Sequence, residues 1–117
     1  HEKDRMNLTN WKIQLRKGVL ELVVLNLLST RRRYGYEMVQ MLKTIDGLTI
    51  REGNIYPILA RLKSDGLVTL EKQTSPEGPV RNAYGLSPEG EKFLKQMNTH
   101  WNHLVSSIEK AEKGELK

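Results

Sequence analysis

Within ten residues the chain places Asn54, Tyr56, Arg61 and Lys63, an amide, a phenol and two cations. These are groups that hydrogen-bond base edges and neutralise phosphates. Their surroundings read as helix, because Ile55, Leu59 and Leu62, with Ile58 beside them, recur at three and four residues. On a wheel of about 100° per residue with Asn54 at zero, Ile55, Leu59 and Leu62 lie at roughly 80–140°; Tyr56, Pro57, Ala60, Lys63 and Ser64 take the opposite side, and Arg61 flanks it with Asn54. Such a helix offers Asn54 to adenine, Tyr56 to a phosphate or a thymine methyl, and Arg61 and Lys63 to phosphates. The two cations would equally serve to keep an exposed helix soluble. Pro57 belongs in the first turn, where backbone N–H groups have no partner, so the helix is expected to begin near Gly53 or Asn54 and to stop at Gly66.

Other reactive side chains carry less. The run Arg31-Arg32-Arg33 suits either phosphate contact or a solvated loop, and Tyr34 and Tyr36 beside it suit either core or phosphate contact. His100 and His103 are three residues apart, but helical metal sites of that spacing recruit further ligands and the remaining histidine is His1. Solvated imidazoles are expected there, and neither metal nor cofactor. The order of Ser, His and Asp gives no nucleophilic triad, no glycine loop cradles a phosphate and no carboxylates pair in a pocket, so an enzyme is not expected.

Composition narrows the class. A chain of 117 residues suits one small domain with at most a long appendage. Without cysteine there is no disulfide framework, thiolate zinc site or cysteine nucleophile. The apolar run Val19–Leu28 is interrupted by Glu21 and Asn26 and is too short to span a membrane. No secretory apolar segment follows His1, and the lack of cysteine fits a reducing cytoplasm as the expected location. Residues 1–85 hold 14 Lys/Arg and nine Asp/Glu, whereas residues 86–117 hold five of each, so the whole excess of +5 lies in the first part. A basic excess confined in this way points to a polyanion-facing surface.

The elements that must hold these residues follow from periodicity. Leu8, Trp11, Leu15, Val19, Leu22 and Asn26, widened by Val23 and Leu27, predict a helix from Thr9 to Ser29 with that face buried. A second helix is expected from Tyr34-Gly35-Tyr36 to about Ile45, with Val39, Leu42 and Ile45 aligned, closed by Asp46-Gly47. Leu48-Thr49-Ile50 fits a small strand. Leu67–Thr74 and Asn82–Leu86 read as a hairpin whose loop, Ser75 to Val80, is longer than two residues. Ser87-Pro88 is an N-cap with proline at the first helical position, opening a helix to about Lys113. In it Leu94, Met97, Trp101, Leu104, Ile108 and Ala111 step by three and four, the repeat of a coiled-coil seam. About 26 residues at 1.5 Å each make about 39 Å, more than a small body needs to cover itself. The helix should protrude and pair with a second copy, with Leu8, Trp11, Leu94, Met97, Trp101, Leu104 and Ile108 at the dimer interface. The expected fold is mainly α with a small β-hairpin: a winged helix-turn-helix over residues 1–86, whose first helix contributes to the dimer, and a C-terminal dimerisation helix over 87–117.

Tyr34-Gly-Tyr-Glu-Met38, Glu52-Gly-Asn-Ile-Tyr-Pro57, Arg61-Leu62, Asp65-Gly-Leu67 and Tyr84-Gly-Leu-Ser87 with Gly90, in that order, resemble the signature of the PadR family of bacterial transcriptional regulators. The resemblance spans roughly residues 15–112, and the single-helix tail is similar to that of the compact subfamily, which includes multidrug-binding repressors. It implies a homodimer that binds a palindromic promoter operator in double-stranded DNA, usually as a repressor, and that releases it on binding a small aromatic or drug-like effector. Some compact members line a cavity at the dimer centre with a tryptophan of the last helix; Trp101 stands at the matching place, with Leu15, Val19 and Met97 as candidate walls. An aromatic at such a seam position is also an ordinary core residue, and the two roles are compatible. The family's wing is often basic and tyrosine-rich, whereas this one keeps Arg81 as a DNA contact and Tyr84. Asn54 stands where the family commonly has threonine or serine, so capping or base contact would account for it. The rival reading is a winged helix that docks onto a protein without specific DNA binding, and it predicts tolerance of charge reversal at Arg61 and Lys63.

Overall fold

The computed structural model describes residues 6–117. Helix α1 runs over Leu8–Thr30, and its first turn is capped by Asn7, whose side chain accepts the Asn10 N–H at 2.8 Å. A two-residue strand β1 (Arg33–Tyr34) leads into α2 (Gly35–Leu42), and α3 (Glu52–Ser64) follows a turn. Strands β2 (Val68–Ser75) and β3 (Gly78–Leu86) form a hairpin, and α4 (Pro88–Glu112) closes the chain. The sheet is antiparallel with order β1-β3-β2.

Leu20, Val24, Leu25 and Leu28 of α1, Met38, Val39 and Leu42 of α2, and Ile55, Leu59 and Leu62 of α3 share one core with Val68, Tyr84 and Leu94. The stripe expected to be buried on α1 is therefore not the core face: Leu8, Trp11 and Leu15 are exposed. Between Val19 and Leu28 this helix is apolar on more than one side, and a period of 3.6 cannot choose which stripe turns inward. The Leu22–Asn26 side instead meets α4, where the Asn26 and Asn98 amides each donate to the other at 3.0 and 2.9 Å.

Three further expectations are corrected. The second helix ends at Leu42 rather than Ile45, because the Thr44 and Ile45 N–H groups bond three residues back and Gly47 turns at φ +85°, which leaves Ile45 exposed. No strand forms over 48–50; the third strand is β1, pairing Arg33 with Tyr84 and Tyr34 with Ala83. The hairpin turn is the pair Pro76-Glu77, with Ser75 opposite Gly78, and a bulge next to it puts an extra residue on β3 beside Pro79. Proline gives no N–H to a ladder, and a bulge is where a strand accommodates it.

The start of α4 is fixed closely. Ser87 is buried; its hydroxyl donates to the Gly66 carbonyl at 2.6 Å and accepts the Gly90 N–H at 2.9 Å, while its own N–H donates to the Leu67 carbonyl at 3.0 Å. A Cβ on Gly90 would lie 2.0 Å from the Leu67 carbonyl oxygen. Past Met97 the helix continues beside α1 as far as Leu104 without burying a residue, and the molecule is 59 Å in its longest dimension. Gly90→Ala must push α4 away from backbone that cannot rotate aside, so it is expected to cost about 2–3 kcal/mol, read as a lower urea midpoint. An unchanged midpoint would show that the junction has slack.

Candidate nucleic-acid interface

Helix α3 starts earlier than the proline rule suggested. With Glu52 as its first residue, Pro57 is the sixth and lies beyond the first turn. Its ring faces the Gly53 carbonyl four residues back, where clash and a missing N–H are the usual penalties. Glycine at 53 and an exposed first turn leave that carbonyl open to water. Asn54 is the third helical residue; Arg51 holds the N-cap position and no side chain caps it, so capping does not account for Asn54. Asn54 is exposed on the first turn.

Tyr34, Tyr36, Tyr56 and Arg81 come together. With Gly35, Val80 and Asn82 they line one concavity of about 420 Å³ between the starts of α2 and α3 and strand β3. The Tyr34 hydroxyl donates to Gln73 Oε1 at 2.6 Å, and the Arg81 guanidinium lies 5.6 Å from the Tyr34 ring centroid, within cation–π range. Tyr36 is more than half exposed. Burial and the neighbouring Glu52, which accepts the Tyr56 hydroxyl at 3.3 Å, raise the Tyr56 phenol, which therefore stays a protonated donor at neutral pH. Gly35 allows this ring its place, since a Cβ there would sit 2.7 Å from Tyr56 Cε1.

The cations divide by duty. Arg61 forms an ion pair with Glu21 of α1, which competes with any phosphate contact, whereas Lys63 and Pro57 are exposed and Lys63 has no ion pair among the described residues. The run Arg31–Arg33, read as phosphate-binding or solvated, is instead tied down. Arg33 donates to the Leu27 carbonyl at 2.6 Å and to Thr30 at 2.8 Å, closing the end of α1. Arg32 donates to Thr69 at 3.0 Å and pairs with Glu71 at 3.2 Å, holding the wing. Arg31 reaches Glu37 Oε2 at 2.5 Å. Spacing did not flag Gln73, Gly35 or Glu37, because none belongs to a periodic face.

Along α1 and α4, Leu15, Val19, Met97 and Trp101 line one open groove of about 440 Å³, together with Leu22 and Leu104. Leu8, Trp11 and Ile108 are exposed, and Leu94 lies in the core of the chain. His100 and His103 are exposed on α4, and no group of three potential metal ligands occurs among the described residues; His1 lies outside them. No helix among the described residues is long and apolar enough to cross a membrane.

Two helices joined by a turn, the second presenting an exposed polar first turn, and a hairpin wing beside them define a winged helix-turn-helix DNA-binding protein. The sequence pattern of the PadR-like family of transcriptional regulators matches residues 24–96. The chain belongs to that family. It is 37% identical to a PadR-like transcription factor from Bacteroides fragilis over 87% of this chain and 98% of that one, with a TM-score of 0.73. A PadR family regulator from Eggerthella lenta is similar at 29% identity, 89% and 90% coverage and a TM-score of 0.78. Bacillus subtilis PadR, solved in complex with operator DNA, is similar at 25% identity over 68% of this chain and 46% of that one, with a TM-score of 0.62.

The tyrosine cluster depends on the start of α2, where Glu37 Oε1 accepts the Tyr34 N–H at 3.0 Å. The Arg31 hydrogen bond first, and this N–H second, hold the Glu37 carboxyl below its ordinary range. A lowered carboxyl stabilises the fold fully above its unfolded value of about 4.3 and loses that contribution as pH falls through the lower folded value. Glu37→Gln is therefore expected to cost about 1 kcal/mol at neutral pH, with the gap to wild type closing in acid, measured by urea unfolding at stepped pH.

Proposed function

We propose that the chain represses transcription by binding an inverted-repeat operator as a homodimer, and that a planar aromatic compound stacking on Trp101 releases it. The observation that carries this reading is the open groove of Leu15, Val19, Leu22, Met97, Trp101 and Leu104. Leu8, Trp11 and Ile108 on the same two helices are exposed as well, and clustered exposed apolar side chains mark interaction surfaces. A second copy applying the same α1 and α4 surface about a two-fold axis would close the groove, and would set two recognition helices toward half-sites about 34 Å apart. An aromatic floor in an apolar cavity suits a flat ring, while the dimer seam supplies the walls. The duplex is the supported ligand because the B. subtilis relative was solved on operator DNA.

The reading face offers Asn54 on the first turn of α3 and Tyr56 just past it for base edges, with Tyr34, Tyr36, Lys63 and Arg81 toward phosphates and Pro57 beside them. Binding to a selected duplex should weaken with salt at a log–log slope near −0.9 per phosphate neutralised, while a preference of about a thousandfold over random duplex persists. A titration that finds no preference would sink the operator reading and favour the protein-docking one. For the effector, an acridine dye should quench tryptophan fluorescence, and Trp101→Ala should abolish the quenching while sedimentation still reports a dimer. Quenching that persists unchanged through Trp11 would count against the Trp101 site.

A further inference from the structure

Glu52 and Asn54 also line a second concavity, of about 600 Å³, that shares no residue with the one beneath the wing. Its rim carries Arg16, Gln40, Lys43 and Arg51, so three cations face one carboxylate. That carboxylate, Glu52, is engaged by the Tyr56 hydroxyl. Arg16 donates to the Thr49 carbonyl at 2.8 Å and so pins the backbone just before Arg51. Lys43 and Arg51 are exposed and make no ion pair or side-chain hydrogen bond among the described residues.

The two concavities stand at opposite ends of α2: Gly35 and Tyr36 line the first, Val39, Gln40 and Lys43 the second. The eight residues of α2 rise about 12 Å, close to the width of the major groove, about 12 Å. A helix that enters that groove by its first turn lies between two phosphate backbones, one on each flank. Tyr56 looks to the wing-side concavity and Asn54 to this one. The N-terminal end of α3 adds its partial positive charge to both.

We infer that the cleft between α1, the end of α2 and the start of α3 takes a backbone phosphate of the DNA strand opposite the one the wing follows, with Lys43 and Arg51 as its contacts and Arg16 positioning Arg51. The inference rests on the duplex-binding reading, and the experiment separates the two. A duplex is enriched from a random pool by the full wild-type chain, and its affinity is then measured from low to high salt for wild type, Lys43→Gln, Arg51→Gln and the double variant. Lys95→Gln, on the exposed surface of α4, controls for loss of one charge. Each rim variant should flatten the log–log salt slope by about 0.9 for each protomer bound, the double variant by about twice that, with the preference over random duplex unchanged. Slopes equal to that of Lys95→Gln would overturn the cleft while leaving the duplex reading intact. Failure to enrich any duplex would overturn both.

Discussion

The Leu67 carbonyl is where the chain's parts are joined. It receives the Ser87 N–H and sits under Gly90 at a distance no side chain would tolerate, while the Ser87 hydroxyl spans from the Gly66 carbonyl to the first turn of α4. Gly66, at φ +78°, is the residue that ends α3, and Ser87 is the one that ends the wing. One buried hydroxyl and one missing Cβ thus set the end of the recognition helix, both feet of the hairpin and the direction of α4. Buried polar groups tolerate few alternative arrangements, because each broken hydrogen bond leaves a desolvated partner. The angle between the reading elements and α4 is therefore determined locally, before any partner arrives.

The ordered residues around that junction made most of the fold legible. Ser87-Pro88, Gly66 and Gly114 announce helix ends because their physics is local: a hydroxyl that accepts an orphan N–H, and glycines at positive φ. The helices at 52–64 and 88–112 followed from single apolar faces. What stayed hidden depends on partners distant in sequence. Strand β1 is two residues inside a run of arginines and exists because β3 is there to pair with it. The buried face of α1 depends on where α4 packs, and the pattern of a helix apolar on two sides does not carry that information.

The candidate site divides in the same way. Residue types pointed to Tyr34, Tyr36 and Tyr56, and the family resemblance to Arg81; the fold gathers all four around one concavity. Arg61 has the right charge on the right helix, but its guanidinium is paired with Glu21, a residue forty positions away. Lys43 lies outside the recognition helix and in no periodic face, so only the folded turn brings it beside Arg51 and Asn54. Charge totals pointed to the first part of the chain as the polyanion-facing one; the supporting contacts show which of its cations are already held by other groups of the chain.

Helix α1 belongs to both proposed surfaces, which limits how they can communicate. Val19 and Leu22 line the groove beside Trp101, while Lys12, Arg16 and Glu21 contact Asp46, the Thr49 carbonyl and Arg61 next to the reading elements. The two ion pairs are exposed surface contacts, too weak to drag a helix. The firmer connection is the core, where Leu20, Val24 and Leu28 are packed in one cluster with Ile55, Leu59 and Leu62, and a close-packed interior passes on a displacement rather than absorbing it. Opposing it, the Asn26–Asn98 amide pair fixes the register of α1 on α4, since a one-turn slip would strand both amides in a half-buried seam. A ligand shifts an equilibrium only through unequal contact with its two states. A compound that merely fills the groove with α1 in place leaves the reading face where it was; one that parts the amide pair must move α1, and with it the core side of the recognition helix.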